Sequence, residues 1–321
     1  MASQPRLVRT LPALHRAVAR IRASGQTIAL VPTMGALHAG HLSLIRLARR
    51  KAKRTVVSIF VNPAQFAPSE DFLSYPRNLG ADRAALSGTG ADLIWAPSTK
   101  TMYPDGFALR IVPGGPALAG LEDSFRPHFF AGVATVVTKL LLQCRPDIAV
   151  FGEKDYQQLK VIAAVVRELD LPIRILGGPT MRERDGLAMS SRNAYLSPPE
   201  REKAALIYRV LEGCADQIAR GVKPAVAVEE GRAALTQAGF VVDYLEARHA
   251  ETLRAIESRK DGPIRLLAAA RLGTTRLIDN VATPEDYRRP RSRNSRRNPS
   301  GISRAPGATR SRSRGASGAG R

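Results

Sequence analysis

What this chain lacks narrows what it does. Only two cysteines occur, Cys144 and Cys214. They make neither a metal-spaced cluster nor a disulfide framework. Each falls in an apolar helical pattern, so both read as buried free thiols, and the protein is placed in the cytoplasm. No apolar run approaches the roughly 18–20 residues that cross a bilayer, so no membrane is expected. The first stretch is broken by Arg6, Arg9, Arg16 and Arg20 and lacks the uninterrupted core of a secretory signal. Basic and free of acids, it faintly resembles a transit peptide. The plainer reading is an amphipathic helix over Leu11–Ala23.

Acidic residues are the other shortage: 28 against 49 Lys and Arg, a net charge of +21. Such a balance invites a nucleic-acid reading, but its distribution matters more than its size. From Tyr287 onward there are 11 arginines and no acid, and the rest of the excess is spread thinly. After Tyr287 the segment is Arg, Ser, Gly, Pro, Asn and Ala with one threonine and one isoleucine, Ile302. It cannot bury enough apolar surface to offset its ordering entropy, so residues 287–321 are expected to be a disordered tail. Its arginines suit RNA or acidic surfaces, yet no aromatic follows Tyr287 to stack bases. A solvated, optional extension is the first reading and an RNA-binding arm the second.

What is present alternates strands with helices. Strands are expected at Thr27–Val31, Thr55–Val61, Asp92–Trp95, Asp147–Phe151 and Ile173–Leu176. Helices are expected at Gly40–Lys53, Leu79–Ser87, Ala131–Gln143 and Tyr156–Leu169. Continuous apolar strands between helices imply an α/β fold, a Rossmann-like parallel sheet with helices on both faces. Ligands of such sheets bind at the carboxyl ends of the strands. After about Thr180 the pattern changes. Helices at Pro198–Arg220 and Pro224–Ala238, then short strands at Val241–Ala247, Ile264–Ala270 and Arg276–Asn280, suggest a smaller α+β C-terminal domain. The expected division is 1–180, 181–286 and the tail.

Polar motifs follow the strand ends at Val31, Val61 and Phe151. The first is Val31-Pro-Thr-Met-Gly-Ala-Leu-His-Ala-Gly-His41. Gly35 and Gly40 allow close backbone approach, and the following helix offers free N–H groups and a positive dipole end to phosphate. His38 and His41, three residues apart, can face one ligand and donate to phosphoryl oxygens. The helix dipole disfavours imidazolium there, whereas a triphosphate favours it. The histidines are therefore expected to charge, partly or fully, when ATP binds. No Gly-Lys-Ser/Thr follows the glycines, so this is not a Walker A loop, nor is it the dinucleotide glycine fingerprint.

His38-Ala-Gly-His41 resembles the His-x-Gly-His signature of nucleotidyl transferases, which include the class I aminoacyl-tRNA synthetases. Four further segments sharpen the resemblance: Phe60-Val-Asn-Pro-Ala-Gln-Phe66, Asp71-Phe-Leu-Ser-Tyr-Pro-Arg77, Phe151-Gly-Glu-Lys-Asp-Tyr-Gln-Gln-Leu159 and Asp185-Gly-Leu-Ala-Met-Ser-Ser-Arg-Asn193. In this order and spacing they resemble the pantothenate synthetases over about residues 5–283. The resemblance implies ATP-dependent condensation of pantoate with β-alanine through pantoyl adenylate, releasing AMP and pyrophosphate, and a homodimer.

It also implies roles. ATP would meet Met34, Gly35, Ala36, Leu37, His38, Ala39, Gly40 and His41. It would also meet Gly152, Glu153, Lys154 and Asp155, Met181 near adenine, and Met189, Ser190, Ser191 and Arg192 at the leaving pyrophosphate. Lys154 suits the charge growing on the α-phosphate; two hydroxyls and a guanidinium suit pyrophosphate. His41, His38 and Lys154 are the catalytic candidates. Gln65, Gln158 and Asn62 are neutral amides able to hold pantoate and border β-alanine without strong charge. Mg2+ is chemically required by the triphosphate. Asp82 falls near the family's metal-proximal acids, although a solvated helix surface explains it equally.

One departure stands out. The family pattern Arg-Pro-x-His-Phe-x-Gly-Val reads here Arg126-Pro-His-Phe-Phe-Ala-Gly-Val133. Phe129 holds the histidine position, and His128, one residue earlier, could substitute for it through a loop shift. Arg126 keeps its position and suits pantoate or phosphate. Two rivals remain: another nucleotidyl transferase, which would need neither glutamine, and an RNA-binding protein using the tail.

Overall fold

The computed structural model describes residues 4–68 and 70–284. In chain order the first elements are β1 (Arg6–Val8), α1 (Leu11–Ala23), β2 (Ile28–Thr33), α2 (Ala39–Lys51), β3 (Arg54–Ile59), α3 (Leu79–Leu86) and β4 (Leu93–Trp95). Then come α4 (Thr99–Met102), α5 (Glu122–Phe125), α6 (Phe129–Cys144), β5 (Ile148–Gly152), α7 (Tyr156–Glu168) and β6 (Arg174–Gly178). The strands join in one parallel sheet of order β1-β4-β3-β2-β5-β6.

Successive strand residues point to opposite faces, and here both faces are covered. Ile28, Leu30, Val56, Leu93, Trp95, Ala149 and Phe151 pack on one side with Leu14, Val18, Leu140 and Ile162. Ala29, Val31, Val57, Ile94, Ile148 and Val150 pack on the other with Leu44, Ile45, Ala48 and Leu86. That is why β2, β4 and β5 read as nearly continuous apolar runs; β3 buries Thr55 and Ser58 as well.

The order places the site. From β2 the sheet grows through β3 to β4 in one direction and through β5 to β6 in the other. The order reverses between β2 and β5, and ligands of open parallel sheets bind in the crevice at such a reversal. The chain leaves β2 into Met34–His38 and leaves β5 into Glu153–Asp155, so the histidines and Lys154 meet at the switch point.

Residues after Gly178 build a second layer. Helices α8 (Pro198–Ala204), α9 (Leu206–Ala219) and α10 (Pro224–Gln237) cover an antiparallel sheet of β7 (Val241–His249), β8 (Ile264–Leu272) and β9 (Thr275–Ala282). Leu211, Ile218, Leu235, Leu245, Leu266 and Leu277 form its core.

Two expectations need correction, and one strand was not expected. The single helix over 198–220 is interrupted at Ala205, between α8 and α9. Ala204 and Ala205 are buried there, so packing, not a glycine or proline, accompanies the break. Strand β1 was not anticipated, because three residues with an exposed charged end carry no periodicity. Asp82 is not on a solvated surface: it is 4% exposed. Cys144 and Cys214 are free and buried. Among the described residues no helix is long and apolar enough to cross a membrane. The arginine-rich segment lies outside the described residues.

Candidate active site

The loop after β2 is shaped by glycine and held from behind. Gly35 is left-handed at φ 86°, and a Cβ there would lie 2.8 Å from Asp82 Oδ2. Ala36 is left-handed too, at φ 49°, a conformation that costs an L-residue roughly 1–2 kcal/mol. Its neighbours secure it: the Leu37 N–H donates to Asp82 Oδ1 at 2.9 Å, and Ser191 Oγ donates to the Ala36 carbonyl at 3.1 Å. Asp82 therefore braces the loop and does not line the cleft.

His38 is the N-cap of α2, and His41 completes a capping box. His38 Nδ1 accepts from the Gly40 N–H at 3.1 Å, and His41 Nδ1 accepts from the His38 N–H at 3.3 Å. With both Nδ1 atoms accepting, the neutral rings carry their protons on Nε2, a tautomer assigned from these bonds. The ring centroids are 4.1 Å apart. Gly40 is required here, since a Cβ would sit 2.8 Å from the His38 ring. Burial, and then Lys154, lower the His38 pKa to about 4. Burial, then His38 and Lys154, lower that of His41 to about 3. At pH 7 both imidazoles are therefore neutral donors.

Lys154 lies in the one-turn segment Glu153–Asp155 after β5. Among the described residues it makes no ion pair. Gln158, in the first turn of α7, is half-buried at the cleft, and its side chain makes no hydrogen bond to another described residue. Its neighbour Gln157 is different: it is buried and tied to the Glu122 N–H, the Pro116 carbonyl and Asp123.

Asn62 and Gln65 follow β3. Asn62 Oδ1 accepts from the Ala64 N–H and from Tyr103 Oη at 2.6 Å. Its Nδ2 donates to Gln65 Oε1 at 3.0 Å and to the Gly132 carbonyl at 3.3 Å. The Gln65 amide is thus oriented with Nε2 towards Met34 Sδ, 3.3 Å away. A thioether is a weak acceptor, so this donor is available to a substrate oxygen.

Two arginines are already engaged. Arg126 binds Glu70 through Nε and Nη2, each at 2.7 Å, and stacks 3.8 Å from the Phe129 ring centre. Arg192 binds Asp71 at 2.9 and 2.8 Å. Behind Arg126 lies Glu122. Burial pushes its carboxyl up, but Arg276, Tyr244 and Arg126 together hold it below the usual range. Phe129 lines the cleft. His128 does not, and its Nε2 is buried without a hydrogen-bond partner. No loop shift brings His128 into the histidine position.

The loop over 181–192 closes the far side. The Met189 N–H donates to the Met181 carbonyl at 2.9 Å, beside an antiparallel bridge between Arg182 and Ala188. Together these parts enclose a cleft of about 1330 Å³. It is lined by Met34, His38, Gly40, His41, Asn62, Gln65, Arg126, Gly152, Lys154, Asp155, Gln158, Met181 and Met189–Arg192. Gly35, Ala36, Leu37, Ala39 and Glu153 stand behind the lining. The cleft exceeds the roughly 300–1,000 Å³ of a single small-ligand pocket and has room for a nucleotide beside smaller substrates.

Known proteins decide the family. The sequence profile described as pantoate-beta-alanine ligase matches residues 6–282. The chain belongs to the pantoate–β-alanine ligase family. It is 61% identical over 282 residues to a protein of Bradyrhizobium diazoefficiens named pantothenate synthetase 2, covering 88% of this chain and all of that one. It is 60% identical, with the same coverage, to a pantothenate synthetase of Rhodopseudomonas palustris. A crystal structure of the Thermus thermophilus pantothenate synthetase superposes with TM-score 0.82 at 46% identity, covering 87% of this chain and 99% of that one. The Francisella tularensis pantoate-beta-alanine ligase, solved as a complex with beta-gamma ATP and beta-alanine, superposes with TM-score 0.73 at 34% identity over 87% of this chain and 98% of that one.

As a pantoate–β-alanine ligase, the chain makes pantothenate at the expense of ATP. Several residues that shape this ligase site carried no signal of their own in the sequence. Glu70 was given no role, and Asp71 only a place at the head of a motif, yet each holds an arginine. Asp279 and Asn280 line the cleft from β9. Two polar residues buried side by side in an apolar strand were the one available clue.

Proposed function

We propose that this cleft condenses pantoate with β-alanine in two steps, with ATP spread between the α2 N-terminus and Lys154. The pantoate carboxylate attacks the α-phosphorus and pyrophosphate leaves. The neutral amine of β-alanine then attacks the acyl carbon of pantoyl adenylate, and AMP leaves. The observation that supports this best is the locked pair of neutral imidazoles beside Lys154. Each presents an Nε2–H to phosphoryl oxygens, His41 without gaining a proton, and Lys154 supplies the cation for charge growing on the α-phosphate. Ser190, Ser191 and Arg192 serve the leaving pyrophosphate, and Met181 offers backbone to adenine. Gln65 and Gln158 hold pantoate, with Asn62 fixing Gln65. Arg126, paired with Glu70, acts at the edge of that pocket. Catalysis is mainly positioning and electrostatics.

The residues present do not form a protein cage for magnesium. Among the described residues no three His, Cys, Asp or Glu side chains are grouped to hold a metal, and Asp82 is committed to the Leu37 N–H. We propose that Mg2+ enters as the counter-ion of the triphosphate, held by phosphates and water. We also propose that residues 1–180 bind the nucleotide and pantoate, that 181–286 close the site, and that the enzyme is a cytoplasmic homodimer. Light scattering of the purified protein tests the dimer.

Product identity tests the chemistry. With ATP and pantoate alone, pantoyl adenylate and pyrophosphate accumulate; adding β-alanine converts the adenylate to pantothenate and AMP. ADP in place of AMP rules out the adenylate route. His41→Ala lowers turnover severely with the fold intact, and near-normal turnover removes His41 from the site.

A further inference from the structure

We infer that Asn280, in the C-terminal sheet, is a positioning residue for Lys154 and so governs the first chemical step. The inference rests on the reading above that Lys154 serves the α-phosphate. The segment carrying Lys154 has little to hold it in place. Gly152 before it has no side chain, and Asp155 gives α7 no side-chain cap.

What holds it comes from β9. Asn280 Nδ2 donates to the carbonyls of Glu153, at 2.9 Å, and Lys154, at 2.8 Å. One planar amide thus uses both protons on two consecutive carbonyls. Its Oδ1 accepts from Arg265 Nε at 2.7 Å, which fixes the orientation: flipped, the amide would set oxygen against two carbonyls and nitrogen against a guanidinium. Arg265 also lies 3.6 Å from Glu153 Oε2 and 4.2 Å from the Tyr156 ring centre. Asn280 is 3% exposed, so water does not replace these bonds. Its neighbour Asp279 holds Arg182 at 2.6 and 3.0 Å, at the base of the loop carrying Met181 and Met189. Two adjacent residues of one strand therefore brace two walls of the cleft.

Asn280→Asp keeps the size and the Arg265 contact and loses both donors. The Lys154 turn loses its anchor while the nucleotide contacts made by α2 remain. The expected result is a fall of roughly 10²-fold in kcat for pantoate-dependent exchange of pyrophosphate into ATP, the loss a misplacement of about 1 Å brings, with KM for pantoate little changed. The deciding measurement is a double-mutant cycle with Lys154→Ala. The double variant should exchange no more slowly than Lys154→Ala alone, because a mispositioned lysine has no further effect once removed. Losses that multiply overturn the inference, since Asn280 would then act through something other than Lys154. Normal exchange by Asn280→Asp overturns it as well. Normal exchange by Lys154→Ala overturns the assignment of Lys154 itself, which separates the two failures. Thermal melts check folding, and Asn280→Ala, which bares the same carbonyls without adding charge, takes its place in the cycle if Asn280→Asp does not fold.

Discussion

Gly132→Ala should damage the pantoate pocket from behind. Gly132 is on the second turn of α6, and an added Cβ would lie 2.2 Å from the Ala64 carbonyl oxygen, 2.5 Å from its carbon and 2.8 Å from the Gln65 nitrogen. Carbon contacts are comfortable near 3.5 Å, so something must move by about 1 Å. Helix α6 resists, because Val133, Ala134, Val136, Val137 and Leu140 bury it against the core. The turn holding Asn62 and Gln65 gives way instead, and Asn62 also loses its bond to the Gly132 carbonyl. Two effects compete. Alanine favours a helix interior by up to about 1 kcal/mol over glycine; overpacking costs about 1–3 kcal/mol. With backbone as the obstacle, overpacking should win, leaving about 1–2 kcal/mol of destabilisation and a Tm lower by roughly 2–8 °C. Displacing Gln65 should cost up to roughly 10²-fold in kcat/KM for pantoate, with KM for ATP nearly unchanged. A variant as stable as the parent with normal pantoate kinetics would show that α6 and the turn are not packed backbone to backbone.

Three other outcomes follow from the site. The folded-state pKa values of His38 and His41, about 4 and 3, lie below the ordinary 6.5, so the unfolded chain binds more protons between those values. Stability therefore rises with pH across that window, is fully present above 6.5, and is lost as pH falls through about 4 for His38 and about 3 for His41. A His38→Gln, His41→Gln variant should show a flatter Tm-against-pH curve there, and an unchanged slope counts against buried neutral rings. Phe129→Leu keeps an apolar body but removes the ring under Arg126; at about 1 kcal/mol of stacking it should raise the pantoate KM about fivefold, and no change removes Phe129 from the substrate side. Deleting residues 288–321 should leave the ligase kinetics intact, since among the described residues every one lining the cleft precedes Val281; lost activity would give the arginines a part in the reaction.

The fold was legible where burial writes a period. Strands β2, β3 and β5 are apolar on both faces, and their alternation with helices implied the parallel sheet. The motifs at the strand ends located the cleft, because topology brings those ends together. Interactions between distant segments were not legible. Nothing local to Asp82 says that its carboxylate sits under Gly35, far back along the chain. Nothing local to Glu70 and Asp71 says that they occupy Arg126 and Arg192. Side-chain pairing across the fold leaves no periodic mark, so charged residues there read as surface. Asn280 was read only as the end of a strand, because its partners are carbonyls of another segment.

The same limit explains the histidines. From the sequence, a helix N-terminus and a triphosphate pull their charge in opposite directions, and partial or full charging on binding ATP was the expectation. The structure adds burial, the largest cause of the downward shift in both. At pH 7, charging His41 from a pKa of about 3 costs about 5 kcal/mol. A single phosphate charge about 4 Å away returns about 4 kcal/mol at an effective dielectric of about 20. One such charge leaves His41 neutral. His38, less buried and one unit higher, has the smaller cost, so any proton taken up with ATP should go there. Calorimetric titration with ATP at pH 7, in buffers of different ionisation enthalpy, should show uptake of at most one proton, abolished by His38→Gln. Uptake approaching two protons, or uptake that survives His38→Gln, would mean that His41 charges in the complex and that its Nε2–H does not act as a neutral donor.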